Sequence, residues 1–422
     1  MTTTLGKTWG LRRMADAAGR FKMVAIDQRP PIVNLIAKRR NVAVDAVTFA
    51  DIVAVKRLLA RVLAPHASAL LVDPNFGYPA AADLLLPSRG LIMTLEDHRF
   101  VETPRGRRSA TIADWTVAKI RRLGADGVKV LAWYRPDADA ATLAHQHALV
   151  EAISRACVDE DIPFIFELLV YPFPGDASHT TGYVEDPAKH PQRVVDSVRA
   201  FADPRFGIDL FKLESALPAA ALPPCDDTLA SRAAQAWFDQ VAAEITTPWV
   251  MSSAGASMAD FENVLRYAYR AGANGFLAGR AIWWEALSAF PDFDACAAAL
   301  AASSVPYLAR LSALTDAHAT QWAPIIAILV RSPSKANSRD SEPRREFRRV
   351  GTQSSPTSRR VTSALPPASQ PTARARPRAR PDVWCPTWRR VRRATPARAP
   401  TVRDRGSLPS HSVPHQMAPP TS

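Results

Sequence analysis

The 422 residues, 47% of them hydrophobic, suffice for one large domain or two to three ordinary ones with a sizeable core. The formal net charge of +13 is unevenly placed: Pro324 to Ser422 carries 19 Arg and 1 Lys against 5 acidic residues, while the 323 residues before it hold 33 basic and 35 acidic ones. The high pI belongs to that tail, which excludes it as evidence for nucleic-acid binding by the main domain.

The N-terminus, Met1 to Lys7, has no apolar signal core, and the apolar stretch Ile325 to Val330 is too short to span a bilayer. Cys157, Cys225, Cys296 and Cys385 lie far apart with no C-x-x-C spacing. Neither a zinc knuckle nor a disulfide framework is expected, and a soluble protein of the reducing cytoplasm is.

In chain order, apolar strands alternate with helical segments. Met23 to Gln28 reads as the first strand, followed by a helix with apolar positions at Phe49, Ile52, Val53, Leu58, Leu59 and Leu63. Ala69 to Asp73 and Gly90 to Glu96 are the second and third. A helix starting near Thr111 leads into the fourth, Gly127 to Tyr134, and a helix through Leu149, Ile153 and Val158 leads into the fifth, Pro163 to Val170. The sixth is the run Phe206 to Ser215, bounded by Asp203-Pro204 and Leu217-Pro218. Trp249 to Ser253 is the seventh, and a helix from Asp260 to Ala271 precedes the eighth, Gly275 to Arg280. Eight strands with intervening helices predict an α/β fold, a closed (β/α)8 TIM barrel over residues 1–323. An open doubly wound sheet is the competitor, but no G-x-G-x-x-G follows the first strand and there is no P-loop.

In a barrel the chemistry sits at the C-terminal strand ends. Those ends carry Asp27, Gln28 and Arg29, then Asp73, Glu96, Lys129, Glu167, Lys212 with Glu214, Ser252 to Gly255, and Gly279-Arg280. Such a set predicts a charged mouth above an apolar barrel. Lys212 stands out because a strand buried on both faces strips an ammonium of hydration and favours the neutral amine, a nucleophile toward carbonyls. The plainer alternative is a lysine paired with Glu214 or reaching to solvent. Ser252 to Ser257 followed by Gly279-Arg280 fits a phosphate cup of backbone N–H groups, a hydroxyl and a guanidinium on the last two strands. His145 and His147, two apart on a helix, point in different directions and make no ligand pair.

Several separated motifs resemble the class I tagatose-1,6-bisphosphate aldolases, with the sulfofructose-phosphate aldolases as relatives. They are Ala25-Ile26-Asp27-Gln28-Arg29, Leu71-Val72-Asp73-Pro74, Gly127-Val128-Lys129, Phe166-Glu167, Phe206 to Glu214, Ser253-Ala254-Gly255 and Ala278 to Trp283, across about Gly6 to Trp322. The resemblance implies a metal-independent and cofactor-free lyase whose substrate is a phosphorylated ketose, cleaved to dihydroxyacetone phosphate and glyceraldehyde 3-phosphate. It also implies that Lys212 is the Schiff-base lysine and Glu167 the acid/base. Asp27, Gln28 and Lys129 would hold the substrate's hydroxyls and second phosphate. Ser253 and Arg280 would hold the phosphate of the dihydroxyacetone half, and Glu96 would lie near the pocket. Arg29, Gly255 and Gly279 belong to the same strand-end set. Within that mechanism Lys129 is expected to repel a proton from Lys212, and Glu167 to titrate nearer neutrality than in water. Two departures bear on the substrate: Ser215-Ala216 replaces the family's Val-Pro after Glu214, and the loop Tyr171 to Pro191 is of the kind that varies.

Residues 324–422 hold 16 of the 36 prolines and paired arginines such as Arg344-Arg345 and Arg392-Arg393. The composition predicts disorder. A nucleic-acid or acidic-partner arm is the functional alternative; a passive tail or the product of a shifted reading frame in a GC-rich gene is the plainer account. Trp283-Trp284 and the alanine-rich helix after Cys296 are the candidate contact for a homo-oligomer.

Overall fold

The alternation of strand and helix resolves into a closed parallel barrel in the computed structural model, which describes residues 4–323. The tail from Pro324, with Cys385, the Ile325 to Val330 run and the expected disorder, lies outside the described residues. The barrel strands are β1 Phe21–Ala25, β2 Ala69–Val72, β3 Gly90–Thr94, β4 Gly127–Trp133, β5 Phe164–Leu169, β6 Leu210–Leu213, β7 Trp249–Met251 and β8 Gly275–Ala278. Each pairs with its neighbour in the chain, and β8 closes on β1 with Gly275 opposite Phe21.

Strand periodicity divides the apolar residues between two cores. On β5, Phe164, Phe166 and Leu168 face outward with Val128, Val130, Phe201 and Phe211 into the layer beneath the helices, while Ile165 points into the ring. Inside, Ile165 meets Phe21, Met23, Leu71, Ile92, Leu210, Val250 and Leu277. The helix Leu5–Met14, which sequence periodicity did not predict, stoppers one end of this inner core with Leu11 and Met14. Thr4 caps it, and Lys7 Nζ bonds Asp209 Oδ2 at 2.7 Å, just ahead of β6. That end carries the strand starts, so the opposite end is left for chemistry.

Strand bounds differ from expectation mainly at the sixth. Pro204–Phe206 forms a 3-10 turn whose Asp203 cap accepts from Arg205 N, and Gly207 takes φ 52°, so the strand begins only at Leu210. A side chain at Gly207 would collide with Ser154 Oγ. The helix expected near Thr111 starts instead at Val117, capped by Thr116, because Thr111 pairs with Glu96 in an antiparallel bridge. A short hairpin, Val101–Thr103 with Gly106–Arg108, precedes that bridge.

Trp283 is fully buried and donates from Nε1 to Ala25 O at 3.0 Å, so of the tryptophan pair only Trp284 reaches the surface. The helical run Phe293–His318 has the length and hydropathy of a membrane span. It packs instead on the helix Met258–Arg270: Tyr307 Oη donates to Met258 O at 2.6 Å, and Tyr269 bonds Thr315 at 2.7 Å.

Candidate active site

Two-residue periodicity also lifts the charged residues above the inner core. Glu167 stands two residues after Ile165 on β5, and Lys212 two after Leu210 on β6, and the register sets Glu167 directly against Lys212. Lys212 Nζ lies 2.8 Å from Glu167 Oε1, and Ser252 Oγ, just past β7, donates to the same oxygen at 3.1 Å. The other carboxylate oxygen, Oε2, is 2.8 Å from Lys129 Nζ. Lys129 is ringed further by Glu96 Oε1 at 2.6 Å and Asp27 Oδ2 at 3.1 Å. Thr94 donates to the second oxygen of Glu96, and Arg29 Nη2 to the Glu96 carbonyl at 2.9 Å.

These contacts set the electrostatics. Burial opposes the charged form of Lys129, but Asp27, Glu167 and Glu96 outweigh it and hold the ammonium well above its ordinary range. Burial likewise raises Asp27, yet Lys129 and Lys212 bring it down to about 2. Glu167 follows the same logic: burial pushes it up, and the two flanking lysines bring it below the ordinary carboxylate value. The expectation that Glu167 titrates nearer neutrality is therefore corrected. Lys129, moreover, is no bare cation beside Lys212, since three carboxylates compensate it.

The expected anion corner lies across the mouth. Ala254 (φ 44°) and Gly255 (φ 94°) turn the backbone after β7 in the left-handed region. A Cβ on Gly255 would come within 3.4 Å of the Arg280 guanidinium, which lies beyond β8. Gly279 keeps space for Gln28: a Cβ there would meet Gln28 Nε2 at 2.8 Å and Ala25 O at 2.7 Å.

One cavity of about 240 Å³ collects Asp27, Gln28, Arg29, Glu96, Lys129, Glu167, Lys212, Ser253, Gly279 and Arg280. Gly255 is outside its wall, behind Arg280. Four cations against three carboxylates leave the wall suited to an anionic guest. His98 also lines it, drawn down to about 4 by burial and by Arg29, and is neutral there.

Two strand-end carboxylates belong elsewhere. Asp73 pairs with the fully buried Lys56 and accepts from Phe76 N and Gly77 N. Glu214 pairs with Lys189 at 2.7 Å and accepts from Val170 N at 2.6 Å, which removes it as a partner of Lys212. His145 and His147 diverge, to Ser109 O at 2.8 Å and Tyr134 Oη at 3.1 Å. Sequence reading did not single out Ser252 as a partner of Glu167, nor Thr181 to Tyr183 from the loop after β5, which also line the cavity. The loop itself was marked by its composition; nothing local distinguished Tyr183 within it.

A barrel whose mouth sets a lysine against a carboxylate, in one cavity with the Arg280 guanidinium, has the equipment of an enzyme that attacks carbonyls of anionic compounds. The model of the family described as DeoC/LacD family aldolase matches residues 21–285, and the chain belongs to that family. It is similar to tagatose 1,6-diphosphate aldolase 2 of Enterococcus faecalis, 31% identical over 305 residues that cover 71% of this chain and 89% of that one. With tagatose 1,6-diphosphate aldolase 1 of Streptococcus mutans it shares 31% identity over 330 residues, 76% of this chain and 99% of the other. Among solved structures, fructose-bisphosphate aldolase from Plasmodium falciparum shares the fold, with a TM-score of 0.53 at 10% identity over 74% of this chain and 96% of that one.

Proposed function

We propose that this aldolase cleaves a ketose 1,6-bisphosphate, tagatose 1,6-bisphosphate foremost, to dihydroxyacetone phosphate and glyceraldehyde 3-phosphate through an imine on Lys212. The observation that carries the reading is the 2.8 Å contact of Lys212 Nζ with Glu167 Oε1 in a wall that ends at Arg280 and Ser253. The names of the relatives support the choice of sugar.

The Glu167 carboxylate takes a proton from protonated Lys212, and the freed amine attacks the ketone carbon. A second nitrogen proton passes to the alkoxide to give the carbinolamine hydroxyl, and Glu167 returns the first proton to that hydroxyl, which leaves as water and yields the iminium. Glu167, a carboxylate again, takes the C4 hydroxyl proton as the C3–C4 electron pair moves into the iminium, releasing the aldehyde and leaving an enamine. Protonation at C3 and hydrolysis return the ketone and free Lys212. Arg280, Ser253 and the backbone at Ala254 hold the phosphate of the dihydroxyacetone half, with Gly255 allowing the turn. Asp27, Gln28, Glu96 and Lys129, with Arg29 behind Glu96, order the rest of the sugar. Cys157, Cys225 and Cys296 are free thiols, in keeping with a reducing cytoplasm as the setting.

Borohydride reduction with dihydroxyacetone phosphate should leave a covalent adduct on Lys212, read by peptide mass spectrometry. An adduct on Lys129 overturns the assignment, and no adduct with chelator-sensitive cleavage points to a metal enzyme. A coupled assay on tagatose 1,6-bisphosphate, fructose 1,6-bisphosphate and sulfofructose 1-phosphate ranks the substrates.

A further inference from the structure

We propose that Tyr183 is a specificity-determining residue of this reaction, its phenolic O–H donating to an oxygen of the substrate half that departs as the aldehyde. The inference rests on the aldolase reading above and names a contact within it.

The backbone carbonyl of Tyr183 accepts from Arg280, beyond the end of β8. Its ring packs edge-on against Trp133, with centroids 5.0 Å apart, at the end of β4. In the ring of strands β4 and β8 are diametrically opposed, so this one residue reaches from the anion corner across to the far wall. Tyr183 lines the cavity, and its hydroxyl is buried in the field of Lys129, Glu96, Glu167 and Asp27. Burial holds the phenol well above its ordinary range, which makes it a donor at every working pH and not a base.

The hydroxyl nevertheless donates to nothing among the described residues. Within the cavity wall it shares that condition only with Gln28 Oε1, once ion pairs are counted. Lys129 is taken by three carboxylates and Glu167 by two lysines. A buried donor without a partner costs stability unless something supplies an acceptor. A sugar anchored by its phosphate at β7 and β8, with its ketone carbon at Lys212 on β6, directs its remaining oxygens toward Lys129, Glu96 and Asp27, where that donor waits.

The position of Tyr183 is preset. Arg107, buried against Phe100, Trp133 and Tyr171, donates to Thr180 O on one side of it. On the other side Lys189 ties Glu185 at 2.6 Å to Glu214 at 2.7 Å, and Glu185 N donates to Ala254 O at 3.0 Å.

Tyr183→Phe keeps the ring on Trp133 and the carbonyl at Arg280 while deleting the donor. The full chain should melt at or above the wild-type temperature, because the unpartnered donor is gone. It should form the borohydride adduct with dihydroxyacetone phosphate and exchange that ketone's C3 hydrogen within about 3-fold of wild type, whereas kcat/KM for ketose bisphosphate cleavage falls about 10- to 100-fold. Cleavage within about 2-fold of wild type overturns the proposal, as does a parallel loss of hydrogen exchange, which assigns the residue to the ketone half or to the scaffold. If wild type itself forms no adduct on Lys212, the aldolase reading falls and this one with it.

Discussion

Glu167 touches Lys212 with one oxygen and Lys129 with the other, so Lys129 meets Lys212 through a carboxylate and not as the bare cation expected from the sequence. Lys129 serves the carboxylates, and Glu167 serves Lys212. Glu167→Gln keeps the size of the side chain but cannot accept the lysine proton. It should lower ketose bisphosphate cleavage by about 10²- to 10⁴-fold in steady-state assays, and lower the thermal midpoint too, because Lys212 loses its carboxylate partner. Lys129→Met acts differently, because it strands Asp27, Glu96 and Glu167 as buried carboxylates without their shared cation. A loss of about 3–5 kcal/mol in urea unfolding is expected, along with a higher pKa for Asp27 than the present value of about 2. The residue types at this mouth were legible in the sequence as strand-end charges. Their pairing was not: Lys129 and Glu96 are 33 positions apart, and Lys129 and Asp27 are 102 apart.

At the scale of the element, the segment after β5 decides what covers the cavity. It is fastened through Glu185, Lys189 and Glu214, and burial lifts Glu214 to about 7, against the pull of Lys189. A carboxyl whose folded pKa is raised adds stability in full below its unfolded value, ordinarily 4.5, and that contribution is lost as pH rises through about 7. Wild type should therefore be more stable at pH 5 than at pH 8 from this group, by at most about 3 kcal/mol at roughly 1.4 kcal/mol per pKa unit. Glu214→Gln should flatten the dependence, as read from thermal midpoints at the two pH values. Gly279→Ala bears on the strand end across the mouth. Its methyl would press on the Ala25 carbonyl, a backbone atom, and on the amide of Gln28, so both the midpoint and cleavage should fall.

For the molecule as a whole, both ends of the described chain finish at the bottom of the barrel. The helix Leu5–Met14 plugs it. Residues 319–322 stitch back through Thr320 N to Ala273 O at 3.0 Å and Trp322 N to Gly19 O at 2.9 Å, with Asn274 Nδ2 donating to Thr320 O at 3.0 Å. Truncation after Ala323 should leave cleavage and the melting temperature unchanged. Truncation after His318 removes these bonds and the Trp322 ring beside Phe21, and should cost a few kcal/mol at about 0.5–1.5 per hydrogen bond plus the lost apolar contact. Calorimetry of the two truncated chains separates the outcomes.

The sequence alone determined the barrel and the inventory of its mouth, because strand periodicity, turn residues and the count of eight elements are local properties that survive being read in one dimension. Lys212 at an inward position of β6 and Glu167 at one of β5 follow from alternation alone. Only the tertiary structure decided which charge neutralises which, that Asp73 and Glu214 turn away to Lys56 and Lys189, and that Tyr183 comes to overhang the cavity. Those outcomes depend on closure of the ring, which brings side chains a hundred positions apart within hydrogen-bonding distance. They depend equally on burial, which lets each charge persist only where an opposite one has been brought to meet it.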